Sequence, residues 1–213
     1  MAHRVVLFDL DGTLVDSIEL IVRAATWAFT HVQGRSPDRA EIMSGIGKPL
    51  ATQFGAYARD EAELHRLVQA YRDHQMVHHD AMTKPYDGVN DVVGWLAGDG
   101  RSLGVVTSKI EPLAHRALDL IGLREHFPLV VGIESTTRHK PDPDPLWYAM
   151  ERLGGERTEA VYIGDSPFDL RAARAAGIDS IAVTWGAFSE ATLRAEQPTA
   201  VARNAAELRA QLS

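Results

Sequence analysis

The chain has 213 residues, a net charge of −7 and 45% hydrophobic residues, which is typical of a globular protein with one ordinary domain and room for a small second one. It has no cysteine, which excludes disulfides, zinc fingers and a cysteine nucleophile. An acidic balance without a basic stripe argues against nucleic-acid binding. Its apolar runs are too short for a bilayer span or a signal-peptide core, so we expect a cytoplasmic protein without a membrane partner.

Short apolar segments alternate with helical patterns along most of the chain. Continuous apolar runs are typical of strands that are buried on both faces, and they predict strands at 5–8, 103–106, 129–131, 161–163 and 181–183. Helical patterns between them predict helices at about 88–98, 111–121, 142–153 and 166–176. This alternation predicts an α/β fold with a Rossmann-like parallel sheet and helices on both faces.

The region that follows the first predicted strand has a different pattern. Asp16, with Glu19 three residues later, is typical of a capping box that begins a helix. A second helix is expected to open at Pro37, and a long one to run over 61–79. We therefore expect an α/β core formed by 1–15 and 84–213, with a small all-helical cap domain at 16–83.

Polar side chains that can do chemistry follow three predicted strands, in the pairs Asp9 and Asp11, Thr107 and Ser108, and Asp165 and Asp169. Because parallel strands present their carboxyl ends at one edge of a sheet, we expect one crevice there, and Lys140 can reach it. Converging carboxylates repel each other, and Mg²⁺ prefers such oxygen ligands. Each residue alone is more typical of a turn or a helix cap, but the whole set predicts a site for phosphoryl chemistry.

Four segments of the chain resemble the motifs of the haloacid dehalogenase superfamily: 9–17, 106–109, 140–145 and 164–169. The helical insert after the first strand is similar too, and 85–88 and 182–186 resemble the phosphoglycolate phosphatase branch. The resemblance implies that Asp9 attacks phosphorus and becomes an aspartyl-phosphate, while Asp11 is the acid and base. It also implies that Thr107 and Lys140 bind phosphate oxygens.

The resemblance further implies a Mg²⁺ site and a substrate-binding set. The expected metal residues are Asp9, Asp11 through its backbone carbonyl, Asp165 and Asp169. Asp169 is expected to orient either Lys140 or a water molecule bound to the metal. A loop of the cap at 45–49 is expected to close over the site and select the substrate. The expected substrate contacts are Leu10, Gly47, Lys48 and Ser108.

We therefore expect a Mg²⁺-dependent phosphatase for a small phosphorylated metabolite, with 2-phosphoglycolate favoured, in a monomer or homodimer. Inorganic pyrophosphatase, sugar-phosphate phosphatase and phosphomutase activity remain open. A non-catalytic phospho-accepting regulator is disfavoured, because a second carboxylate at Asp11 would promote loss of the phosphoryl group. His74, His78 and His79 have a spacing typical of metal ligands but lack an obvious carboxylate partner, so we expect them on the surface.

Overall fold

The computed structural model describes residues 3–213. It has eight strands: β1 (Val5–Phe8), β2 (Val15–Asp16), β3 (Lys84–Pro85), β4 (Ser102–Val106), β5 (Leu129–Val131), β6 (Ala160–Gly164), β7 (Asp179–Val183) and β8 (Ala200–Ala202). Six of them form a parallel sheet in the order β5-β4-β1-β6-β7-β8, while β2 and β3 form an antiparallel pair. The central position of β1 places the residues that follow it in the middle of the carboxyl edge.

Ten α-helices accompany these strands between residues 3 and 213: α1 (Ile18–Gln33), α2 (Arg39–Met43), α3 (Leu50–Gly55), α4 (Glu61–His78), α5 (Val89–Gly98), α6 (Glu111–Leu120), α7 (Asp144–Leu153), α8 (Pro167–Ala176), α9 (Glu190–Ala195) and α10 (Ala205–Leu212). Alternate residues of β1 face opposite sides of the sheet. Phe8 packs in a core cluster with α5, α6 and α10, whereas Leu7 packs with α7 and α8. The predicted α/β fold class, with helices on both faces, is confirmed.

The helices α1–α4 lie between β2 and β3 and share a hydrophobic cluster of their own. Phe29 of α1 makes an edge-on contact with Phe54, which in turn contacts Tyr71 of α4. The β2–β3 pair joins this helical unit to the sheet, since Asp16 pairs with Lys84. Our division of the chain at 15/16 and 83/84 passes through this pair, and it stays a proposal.

Two local expectations were wrong. Asp16 does not cap α1, because it belongs to β2; the N-cap is Ser17, whose hydroxyl donates to the Asp11 carboxylate instead of capping the helix. His79 is fully buried at the end of α4, where Nδ1 contacts the carboxylate of Asp80, whereas His78 is exposed.

Among the helices of residues 3–213, none combines the length and apolar character that crossing a membrane requires.

Candidate active site

Asp9 and Thr107 are held where two neighbouring strands end. The backbone N–H of Asp9 donates to the carbonyl of Ile163 at 2.8 Å, and the N–H of Thr107 donates to the carbonyl of Val131 at 2.9 Å. Each bond continues the ladder of the sheet by one residue beyond the strand. Both side chains are therefore fixed at the carboxyl edge, where parallel sheets place their ligands.

Lys140 lies between two buried carboxylates. Its Nζ is 3.1 Å from Oδ1 of Asp9 and 2.7 Å from Oδ1 of Asp169. Burial disfavours the charged ammonium, but the carboxylates of Asp169 and Asp9 outweigh that effect and raise the pKa of Lys140 above its usual value. Lys140 is thus a fixed cation beside Asp9.

Tyr162 of β6 is hydrogen-bonded to the Lys140 ammonium and was not predicted as a site residue from the sequence. Its buried hydroxyl donates to the carbonyl of Val106 at 2.7 Å and accepts from Nζ of Lys140 at 3.0 Å. The same hydroxyl lies 3.1 Å from Oδ1 of Asp169. A buried hydroxyl with these partners fixes the direction in which the ammonium points. Tyr162 reads in the sequence as one more apolar strand residue, so only the contacts reveal its role.

Three carboxylates form a compact oxygen cluster. One oxygen from each of Asp9, Asp165 and Asp169 lies within 4.8 Å of the others, and all three residues are buried. Burial raises the pKa of Asp9 to about 7 against the pull of Lys140, and burial together with Asp169 and Asp9 raises that of Asp165 well above its usual value. Carboxylate oxygens are ligands that Mg²⁺ prefers, and a divalent cation would relieve the repulsion among these three carboxylates. The cluster therefore fits Mg²⁺.

Asp165 is positioned by the backbone that surrounds it. One carboxylate oxygen accepts from the N–H of Ala187 at 2.7 Å. A Cβ at Gly186 would lie 2.2 Å from Oδ2 of Asp165, and one at Gly12, where φ is +84°, would lie 2.3 Å from the same atom. Glycine at both places therefore lets two loops close around the carboxylate.

The side chain of Asp11 is not one of the three clustered carboxylates. Its Oδ1 accepts from Nζ of Lys109 at 2.7 Å and from the hydroxyl of Ser17. Lys109 lies two residues after Thr107 and is a second contact that sequence reasoning missed. The side chain of Asp11 is thus free of the carboxylate cluster, and only its backbone carbonyl remains as the expected metal ligand.

Comparison with known proteins agrees with this geometry. A family model described as haloacid dehalogenase-like hydrolase matches residues 6–183. The chain belongs to the haloacid dehalogenase-like hydrolase family. It is 34% identical to the pyrophosphatase PpaX of Halalkalibacterium halodurans over 98% of this chain and 96% of the relative. It is 33% identical to the PpaX of Bacillus pumilus over 95% and 93%.

A solved structure of another haloacid dehalogenase-like hydrolase, from Streptococcus pneumoniae, superposes with a TM-score of 0.88. It shares 28% identity and covers 99% of both chains. The family predicted from the four motifs is therefore confirmed. The predicted enzyme class is confirmed as well: the chain is a phosphoric monoester hydrolase of the haloacid dehalogenase-like family.

A cavity of about 180 Å³ opens between the helical insert and the carboxyl edge of the sheet of this hydrolase. The predicted site residues that line it are Asp9, Asp11, Gly47, Lys48, Thr107 and Ser108. Ser108 also donates its hydroxyl to the carbonyl of Gly47 at 2.7 Å, which joins the predicted cap loop to the sheet edge. The structure therefore brings these residues from both parts of the chain to one cavity.

The other predicted site residues lie behind or beside the cavity. Lys140, Asp165 and Asp169 form the buried layer beneath Asp9. The side chain of Leu10 points into the hydrophobic core with Phe8, so the expectation of a substrate contact can hold only for its backbone. Asp169 has both oxygens engaged, one by Lys140 and the other by the backbone N–H and the hydroxyl of Ser166.

Proposed function

We propose that this hydrolase is a Mg²⁺-dependent phosphatase that cleaves a small phosphate monoester through an aspartyl-phosphate on Asp9. The observation that carries the proposal is the place of Asp9. Its carboxylate lies at the floor of the cavity, 3.1 Å from a buried ammonium, and Thr107 lines the same cavity. A nucleophile that is held beside a fixed cation and a hydroxyl suits attack on a phosphoryl group.

Each residue then has a definite task. An oxygen of Asp9 forms a bond to phosphorus as the bond to the ester oxygen breaks. Lys140 and the Thr107 hydroxyl stabilise negative charge on the phosphoryl oxygens. Asp11 gives a proton to the departing oxygen and then takes one from the water that hydrolyses the aspartyl-phosphate. Carboxylate catalysis of this kind replaces one difficult displacement with two easier ones.

The metal is assigned on the chemistry of its donors. Asp9, Asp165 and the backbone carbonyl of Asp11 would hold Mg²⁺, with Asp169 orienting Lys140. When bound, Mg²⁺ supplies positive charge that offsets the carboxylates and the phosphoryl group. With the charge of the carboxylate cluster offset in this way, Lys140 can stabilise negative charge on the phosphoryl oxygens.

The substrate is a small phosphorylated metabolite, and two candidates have support. The motif resemblance favours 2-phosphoglycolate. The names of the relatives favour inorganic pyrophosphate, since both PpaX proteins are called pyrophosphatases. We further propose that the enzyme works in the cytoplasm as a monomer or homodimer and binds neither nucleic acid nor membrane.

Phosphate release from an aryl phosphate, with and without Mg²⁺, tests the proposal. Asp9→Asn should abolish turnover, because an amide cannot attack phosphorus. Asp119→Asn changes an exposed carboxylate on α6 in the same way and should leave turnover unchanged. Near-normal turnover by Asp9→Asn, or wild-type turnover that ignores Mg²⁺, would contradict the proposal.

A further inference from the structure

The wall of the active-site cavity that faces Asp9 is largely apolar. Side chains from the helical insert supply most of it, namely Ile21, Ile46, Leu50, Val68 and the ring of Tyr71, and Leu113 of α6 extends it on the sheet side. Ile21 and Ile46 are themselves buried within the insert, so they form a firm surface. A phosphate would sit at the polar floor, and the rest of the substrate would lie against this wall.

Two buried polar side chains in this wall, Tyr71 and Gln75, are paired with each other. The hydroxyl of Tyr71 accepts from the side-chain amide of Gln75 at 3.2 Å, and both residues are buried. Burial raises the pKa of Tyr71 far above its usual value, so the phenol stays neutral. This pair therefore adds no charge that would attract a second anionic group of a substrate.

Two of the cations near the floor are paired with carboxylates. Lys109 is 2.7 Å from Asp11, and Lys140 is 3.1 Å from Asp9. Two further cations line the cavity: Lys48, which lies over the ring of Phe168 at 5.1 Å from its centre, and Arg72, which is exposed to solvent. A leaving group that lies against Ile21, Ile46 and Val68 meets only apolar side chains there, where an unpaired charge is costly.

We propose that the substrate is a phosphate monoester whose leaving group carries an apolar segment of a few carbon atoms. This inference rests on the proposed phosphatase function and ranks such esters above both 2-phosphoglycolate and pyrophosphate. The size is consistent: an apolar cavity of about 150 Å³ holds a benzene ring. A cavity of about 180 Å³ therefore holds the phosphoryl group together with a short organic group.

The size of the expected preference follows from the burial of methylene groups. Each buried CH₂ contributes about 0.8 kcal/mol, which corresponds to a rise of about fourfold in kcat/KM. Straight-chain alkyl phosphates from ethyl to hexyl share nearly the same leaving-group chemistry, so a trend among them reports contact with the wall. We expect kcat/KM to rise by about three- to fourfold per CH₂ until the cavity is full.

The experiment measures kcat/KM for this alkyl series, for 2-phosphoglycolate and for pyrophosphate with the Mg²⁺-loaded enzyme. Val68→Thr keeps the shape of the side chain but adds a hydroxyl to the wall, and it should lower kcat/KM for hexyl phosphate at least about fivefold while sparing ethyl phosphate. Val77→Thr makes the same change on α4 at an exposed position and should change neither.

The possible results distinguish a failure of the apolar leaving group from a failure of the proposed phosphatase function. A flat alkyl series, or a kcat/KM for pyrophosphate or 2-phosphoglycolate above that of the best alkyl phosphate in the series, would overturn the apolar leaving group and leave the phosphatase intact. A rising series that Val68→Thr does not alter would also overturn it, because the preference would then arise elsewhere. Failure to release phosphate from every ester, including an aryl phosphate, would instead refute the proposed function itself.

Discussion

Replacing Asp9 with asparagine should make the metal-free protein more stable, even though it removes the proposed nucleophile. Burial raises the pKa of Asp9 from 3.8 to about 7, so the folded protein resists ionisation of this carboxyl. The difference of about three pKa units, at about 1.4 kcal/mol each, gives about 4 kcal/mol that ionisation of Asp9 costs the fold. Asparagine keeps the shape and resembles the protonated acid, so it avoids this cost.

The sign of the pH dependence follows from the same values. Between the unfolded pKa near 4 and the folded pKa of about 7, the folded state binds more protons at Asp9 than the unfolded state. The stabilising contribution of the protonated acid is present at low pH and is lost as the pH rises through about 7. The advantage of Asp9→Asn should therefore be small near pH 4 and complete at about pH 8.

Urea denaturation with a chelator present, at several pH values, measures this difference in the free energy of unfolding. Asp119→Asn serves as the control on an exposed carboxylate and should show no such trend. Mg²⁺ should raise the stability of the wild type more than that of Asp9→Asn, because the variant lacks one proposed ligand. A metal-free Asp9→Asn that is less stable than wild type at about pH 8 would refute the reasoning.

Three further changes test how the site is held. Lys140→Met removes a buried cation between two carboxylates and should lower the free energy of unfolding by about 3–5 kcal/mol in urea denaturation. Tyr162→Phe deletes a buried hydroxyl and leaves the carbonyl of Val106 with only the longer contact from Lys140, at 3.5 Å. It should cost about 1–3 kcal/mol, with kcat falling while KM is unchanged in steady-state assays. Gly186→Ala would place a methyl group 2.2 Å from Asp165 and should weaken Mg²⁺ binding in titration calorimetry, whereas Gly94→Ala, with no atom within 4 Å, should not.

Each of these has a clear contrary outcome. A Lys140→Met variant as stable as wild type would mean that the two carboxylates do not need the ammonium. Unchanged kcat for Tyr162→Phe would show that the hydroxyl does not position Lys140. Mg²⁺ affinity of Gly186→Ala equal to that of wild type would show that Asp165 tolerates displacement or is not a ligand.

Most strands of the sheet could be predicted because a strand that is buried on both faces consists of consecutive apolar residues. β1 and β5 begin and end where the pattern predicts, and the other three predicted strands are one or two residues longer at their ends. β8 was missed because its residues are small and its segment is only three residues long. The β2–β3 pair was missed because two-residue strands are held by partners that are distant in sequence.

In the site too, residues at strand ends could be predicted from the sequence, whereas residues defined by contacts between distant parts of the chain could not. Asp9 and Asp165 could be placed from the ends of their strands, since topology alone brings those ends to one edge. Tyr162 and Lys109 could not, because a tyrosine in a strand and a lysine after a strand are individually unremarkable. Their roles depend on contacts with Lys140 and Asp11, which only the folded chain brings within hydrogen-bond distance.

Trapping the covalent intermediate tests the central claim most directly. In Asp11→Asn, an aryl phosphate still transfers its phosphoryl group because its leaving oxygen needs little protonation, but the base for the second step is missing. After acid quench and tryptic digestion, the peptide 5–23, which contains Asp9, should gain the mass of one phosphoryl group and lose it on treatment with hydroxylamine. Release of phosphate by this variant without any phosphorylated 5–23 peptide would contradict the aspartyl-phosphate mechanism.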